Sequence, residues 1–261
     1  MPGFTPTNLR SLVEPLGGLL GRLDRRTVRY LQLSEVSLVL LSLMQDMQLH
    51  RGLSCTVLDG RVDFVRELDA VGGKLQRALH TLEDQYGSRH AVFARGEWQA
   101  LRDRWEALYR NWRDLDFFTN LNAHSELVLG VVEILRLFAE EHAALLGMQR
   151  VAVIRAWPPM VEHLGMLRAL GLYSLAATDD LADQRHQAAM TSHYHAACRT
   201  LSAAARCEAD DLVVSESEAM LHAVEAMLQD AQQRSDAQAY FHHMTAVIDA
   251  WYASIRSRLL I

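Results

Sequence analysis

Arg51 lies in the stretch Leu43-Met44-Gln45-Asp46-Met47-Gln48-Leu49-His50-Arg51-Gly52-Leu53-Ser54. A helical period puts Met44, Met47, Gln48, Ser54, Cys55 and Leu58 on its own face. A guanidinium within that mostly apolar stripe needs an anion, because an unpaired buried charge is strongly disfavoured. Arg168 repeats the situation among Val161, Leu164, Gly165, Gly171, Leu172 and Leu175. Gly52, Gly165 and Gly171 stand beside the two arginines, although glycine costs a helix interior about 1 kcal/mol relative to alanine. Close helix approach or ligand access is the expected reason. Each guanidinium offers a planar fork of donors, and two converging forks could saturate a small planar oxyanion such as nitrate or nitrite. The competing reading is that each arginine pairs with a protein carboxylate, for example Asp46, Glu162 or one on another helix.

Other reactive side chains carry weaker signals. Among 12 histidines, His193-x-His195 with His186, and the His242-His243 pair, invite a metal reading. Alternate residues on a helix point apart, and the Glu-x-x-His pairs of di-iron bundles are missing, so no metal ligand is expected there. The carboxylate pairs Asp179-Asp180, Asp210-Asp211 and Glu140-Glu141 fall at helix starts or on charged faces, where solvation or the helix dipole accounts for them. Cys55, one turn after Arg51, is either a redox-responsive thiol or a small core residue, and the core reading is favoured. No GxSxG, Walker A or GxGxxG arrangement occurs, so the expectation is a protein that is not an enzyme, with no catalytic residue and no cofactor.

The elements that position these residues are helical. The 261 residues are 50% hydrophobic, with only 5 prolines and 14 glycines, abundant Ala, Leu, Glu and Arg, and few Val-Ile-Thr clusters. An all-α fold follows. A net charge of -6 with pI near 6.0 disfavours direct nucleic-acid binding. Three cysteines without CxxC spacing fit a reducing compartment, and no secretory signal is evident, so a cytoplasmic location is expected. The most apolar run, Val36 to Met44, is too short to cross a bilayer, and no membrane partner is expected.

Residues 1–26 carry Pro2, Pro6, Pro15 and Gly17-Gly18 and read as a broken lead-in. A long helix is predicted from a Thr27 cap to the Asp59-Gly60 stop, a second over about 61–86, and a third from Ala91 or Gly96 to Asp116. In the third, Trp98, Leu101, Trp105, Leu108 and Trp112 recur at core spacing. The fourth opens near Thr119 or Asn120 and extends as far as Arg155. Trp157-Pro158-Pro159 then predicts a break. Beyond it four more helices are expected, over 159–177, 179–207, 215–233 and 235–260, with Thr178, Ser215 and Ser235 as caps. The count suggests two four-helix bundles, over residues 27–157 and 158–261.

Three segments together carry a family resemblance. Met47-Gln48-Leu49-His50-Arg51-Gly52-Leu53-Ser54 resembles the Leu-Gln-x-Glu-Arg-Gly-x-Ser signature that opens nitrate- and nitrite-sensing (NIT) domains. Glu162-x-Leu164-Gly165-x-x-Arg168-Ala169-x-Gly171 is similar to the second glycine-arginine helix of that family. The closing segment from Phe241 to Trp251 is similar to its terminal helix, where Thr245, Ile248 and Asp249 fit a Thr-x-x-Ile-Asp pattern. His50 stands where the family usually has glutamate, and Val247 where a basic residue is expected.

The resemblance implies two stacked antiparallel four-helix bundles that bind nitrate or nitrite and relay occupancy to an output module. Arg51 and Arg168 are the anion-binding candidates it carries over, with His50, Ser54, Arg155 and Arg256 as weaker ones. No output region follows Ile261, so the expectation is a stand-alone sensor acting on a separate protein partner, through an exposed helix face or by forming a homodimer. A ligand-free helical scaffold or adaptor is the alternative.

Overall fold

The computed structural model describes residues 24–60, 62–176, 184–207, 209–229 and 236–260, and all of the regular structure there is helical. The first helix, α1, spans Arg25–Leu58, and its cap is Asp24, whose Oδ1 accepts from the Thr27 amide at 2.8 Å. Thr27 is thus inside the first turn and not the cap. The proline and glycine positions of the lead-in lie outside the described residues. Leu33, Val36, Leu40, Leu41, Leu43, Met44 and Met47 are buried along α1 at three- and four-residue steps, as an amphipathic helix requires.

After a 3-10 turn, Val62–Phe64, α2 runs Val65–Tyr86 and buries Leu68, Val71, Leu75, Leu79 and Leu82. A second 3-10 turn, Ala91–Ala94, leads into α3, Gly96–Asn111. Trp98, Trp105 and Trp112 are core residues, as their spacing predicts. The indole N–H of Trp98 donates to Glu83, and that of Trp105 to Gln76 Oε1 at 3.0 Å. α4 spans Phe117–Glu141, capped by Asp116, whose Oδ1 accepts from the amides of Phe118 and Thr119. Its start precedes the predicted one because Asp116, three positions upstream, outcompetes Thr119 as the cap.

The largest departure concerns the chain break. α4 ends at Glu141, a single turn α5 follows over Ala143–Leu146, and Gly147 takes φ +83°, a left-handed conformation that glycine adopts without steric cost. α6 then runs Met148–Ala176 straight through Pro158 and Pro159. The prolines do not break the chain. Proline inside a helix typically costs about 3 kcal/mol, and here Ile154, Trp157, Met160 and Val161, all buried, hold both flanks by packing.

α7 spans Gln184–Ala205, α8 Asp211–Gln229 and α9 Ala237–Leu260. Ser215 lies within α8 and is not a cap; Asp210 and Asp236 accept from the second helical amides of α8 and α9. Thr178 and Ser235 lie outside the described residues. α1 packs on α2 and α4, and α3 on α4; α6 packs on α7 and α9, and α8 on both of those. Contacts of α4 with α6 and of α1 with α9 join the two groups. No described helix is long and apolar enough to cross a membrane.

Candidate functional site

Arg51 leaves α1 toward α6 and is almost fully buried, and its Nη1 donates to Glu162 Oε1 at 2.5 Å. The carboxylate of Glu162 is also fully buried and collects two further donors. Ser125 Oγ on α4 gives to Oε1 at 2.7 Å, and Gln48 Nε2 on α1 gives to Oε2 at 3.0 Å. Tyr252 on α9 completes the chain by donating its hydroxyl to Gln48 Oε1 at 3.0 Å. Four helices therefore converge on one ion pair. Its position follows from spacing: Gln48 and Arg51 are three apart on α1, one above the other, so both reach the same carboxylate.

The pair leaves one donor over. Arg51 Nη2 is buried and finds no acceptor among the described residues. Gly165 makes room for it, since a Cβ there would sit 2.7 Å from Nη2 and 3.1 Å from Gln48 Nε2. Gly171 serves close approach as well, with the Tyr240 hydroxyl occupying the space a Cβ would need while donating to Leu167 O at 2.7 Å. Gly52 faces open space, so close helix approach is not the reason for a glycine there.

Arg168, one turn beyond Gly165, is partly buried; its Nη1 donates to Thr245 Oγ1 at 3.1 Å and its guanidinium lies over the Phe241 ring at 5.5 Å. Burial first, and then the positive charge of Arg51, pull its pKa down to about 10. The two arginines thus act on one another electrostatically, while Asp249, Tyr252 and Glu162 oppose that effect.

No family model, curated protein or solved structure matches this chain. What the centre does must be read from its own chemistry.

The weaker candidates are dispersed. Ser54 Oγ donates to Arg51 O at 3.0 Å and accepts from Asn120 Nδ2 at 2.9 Å, so it ties α1 to α4. Arg155 is exposed and pairs with Glu140 at 2.5 Å, outside the centre. Arg256 binds Gln45 Oε1 at 2.5 Å and lies over Tyr252 at 5.5 Å. Asp46 pairs with Lys74 and not with either arginine candidate. Val247 is buried and apolar, contributing packing only.

His50 turns away from Arg51. Its Nδ1 lies 2.7 Å from His124 Nε2, and His124 Nδ1 lies 2.8 Å from the Asn120 carbonyl. The carbonyl can only accept, so His124 carries its proton on Nδ1 and His50 donates from Nδ1 to His124 Nε2. Among the described residues, His50 Nε2 is left as a lone pair without a partner, in a pocket of Trp105, Tyr109 and Trp112. Burial holds His50 down to about 4 and pushes His124 well below the usual histidine range. Both rings are neutral at neutral pH.

Cys55 is a buried free thiol raised to about 11 by burial, which suits packing and not redox chemistry. His193 faces His163, Nδ1 to Nδ1 at 3.3 Å, while His186 contacts Ser174. Ser125, His124, Tyr252 and Thr245 complete the polar centre and its neighbour. Only Thr245 stood out by pattern, as the first residue of Thr-x-x-Ile-Asp; Ser125 and Tyr252 sit in ordinary amphipathic runs.

Proposed function

We propose that this chain is a regulatory module that binds a small oxyanion, nitrate or nitrite, where α1, α4, α6 and α9 meet, and signals occupancy to a separate output partner. The single observation behind this reading is the unsatisfied Arg51 Nη2, buried against Gly165, one turn before Arg168. A buried donor left unpaired costs about 1–3 kcal/mol, and more on a charged group. An oxyanion reaching Nη2 offsets that cost, and Arg168 supplies the second cation.

We group α1–α4 as one antiparallel four-helix bundle and α6–α9 as a second stacked on it; the packing of α1 with α2 and α4, and of α6 with α7 and α9, supports this grouping. Arg51 then belongs to one bundle and Glu162, Arg168 and Thr245 to the other. An anion competing with Glu162 for Arg51 has different contacts in the two arrangements, which is the requirement for shifting one toward the other.

The test is thermal melting and calorimetry of the full chain against nitrate, nitrite, chloride and sulfate. Nitrate or nitrite raises the melting temperature, by an amount equivalent to about 2.7 kcal/mol at a hundredfold excess over Kd. Arg168→Gln and Arg51→Lys, which preserve much of the packing, weaken or abolish the shift. An unchanged transition across the panel overturns the sensor reading. The second reading, a ligand-free scaffold or adaptor, is favoured by one observation: Glu162 already holds Arg51, Ser125 and Gln48.

A further inference from the structure

Where α1 begins and α2 and α4 end, an open cavity of about 660 Å³ is lined by residues that include Arg29, Glu35, Tyr86, Arg89, His90 and His142. His90 Nδ1 lies 3.0 Å from His142 Nε2, and that nitrogen is 3.4 Å from Glu141 Oε1. One ligand atom from each of the three residues falls within 4.8 Å of the others. We propose that His90, Glu141 and His142 form a binding site for a divalent transition metal, zinc being the best-suited ion, with its remaining coordination position toward the cavity.

The distances suit that chemistry. Zinc bonds imidazole nitrogen at roughly 2.0–2.1 Å, so two nitrogens on a tetrahedral ion stand about 3.3 Å apart. The His90–His142 separation needs to open by only a few tenths of an ångström, and the His142–Glu141 separation already fits. Two histidines and a carboxylate are a donor set that zinc accepts while keeping one position open.

The surroundings hold the ligands in place. The ring of Phe138 packs edge-on to both imidazoles, with centroids 5.1 Å from His90 and 4.8 Å from His142. Glu141 is anchored by the amides of Ala91 and Val92, which donate to Oε1 at 3.1 Å and to Oε2 at 3.2 Å, and each oxygen retains acceptor capacity. Burial first, and for His90 also the charge of His142, lower both histidine pKa values against the opposing pull of Glu141. Neutral imidazole is the form that ligates a metal. Without metal, one ring donates its N–H to the other; on binding, that ring moves its proton to its second nitrogen and both facing nitrogens present lone pairs. The ion would join the end of α4 to the turn after α2, sites about 50 residues apart in the chain.

Sequence spacing gives no hint of this cluster, because His90 and His142 meet only through the fold. The test is titration of the chelator-treated full chain with cobalt(II) and zinc near neutral pH. One equivalent of cobalt gives visible ligand-field bands, zinc displaces it, and the melting temperature rises to a plateau at one equivalent. His90→Gln and His142→Gln, which keep a hydrogen-bonding side chain, weaken binding by at least about 100-fold, more than loss of an outer-shell partner does. Glu141→Gln weakens it less, and His242→Ala with His243→Ala leaves it unchanged. Absence of saturable binding, or binding that survives the His90 and His142 variants, overturns the proposal and leaves the pair as an ordinary N–H···N hydrogen bond.

Discussion

His50 and Arg51 are neighbours on α1, both buried, yet they leave the helix about 100° apart and solve the burial of a titratable group in opposite ways. Arg51 keeps its charge and meets a carboxylate from another helix. His50 gives up its charge and meets a second neutral imidazole and three aromatic rings. The difference lies in the side chains themselves. A guanidinium cannot be deprotonated in a protein, so burying it dictates where a counter-charge must stand. An imidazole can lose its proton within a few pH units of neutrality, so it tolerates an apolar pocket. The charged residue therefore fixes the alignment of α1 against α6, and the neutral one fills space between α1, α3 and α4.

The strongest way to break that contrast is to remove the counter-charge. Glu162→Gln leaves Arg51 buried and uncompensated, and the expected cost is about 3–5 kcal/mol in urea unfolding. Replacing both partners by apolar residues, Arg51→Met with Glu162→Leu, should recover most of that loss. A single-variant cost below about 1 kcal/mol would mean that Arg51 does not depend on Glu162 for its charge.

Much of this arrangement is legible in the sequence itself. The apolar periodicities of α1 and α2 and the tryptophan spacing of α3 are carried by local sequence, and each helix formed where its stripe predicted. Glu162 is one of the candidate carboxylates, alongside Asp46. The choice between protein carboxylate and external anion could not be read, since it depends on whether α1 and α6 approach closely enough at residues 51 and 162. Pro158 and Pro159 misled for a related reason: the local cost of two prolines is outweighed by the packing of Trp157, Met160 and Val161, which is tertiary information. Caps were displaced by a few residues wherever an aspartate stood just upstream of the expected Ser or Thr.

The neutral side of the comparison predicts acid sensitivity. His50 has a folded pKa of about 4 against an ordinary value of 6.5. Above 6.5 both folded and unfolded chains hold the ring neutral, and its contribution is fully present. As pH falls from 6.5 toward 4, the unfolded chain binds a proton that the folded chain refuses, so stability declines. His50 alone accounts for about 3 kcal/mol over that window. His124, lowered further by burial, adds to the decline in the same direction. Between pH 7 and pH 5 the His50 share of the fall in unfolding free energy should be about 2 kcal/mol, and His50→Gln should flatten the slope. A wild-type slope near zero would contradict the neutral pair.

The smallest expected effect compares two glycines, one against each neighbour. A Cβ at Gly165 would press on Arg51 Nη2, and one at Gly72 would overlap the Tyr109 ring and lie 3.4 Å from His50 Nε2. Alanine gains about 1 kcal/mol of helix propensity at either position, against about 1–3 kcal/mol for overpacking. Arg51 is held by Glu162, and Gln48 by Glu162 and Tyr252, so neither can yield without breaking a buried charged hydrogen bond. Tyr109 is only partly buried and can swing outward. Gly165→Ala should therefore cost a net 1 kcal/mol or so, about the lower end of that overpacking range, while Gly72→Ala stays near neutral. If Gly165→Ala stabilises the protein instead, the guanidinium has room to move off Glu162, and the charged side of the comparison is the looser of the two.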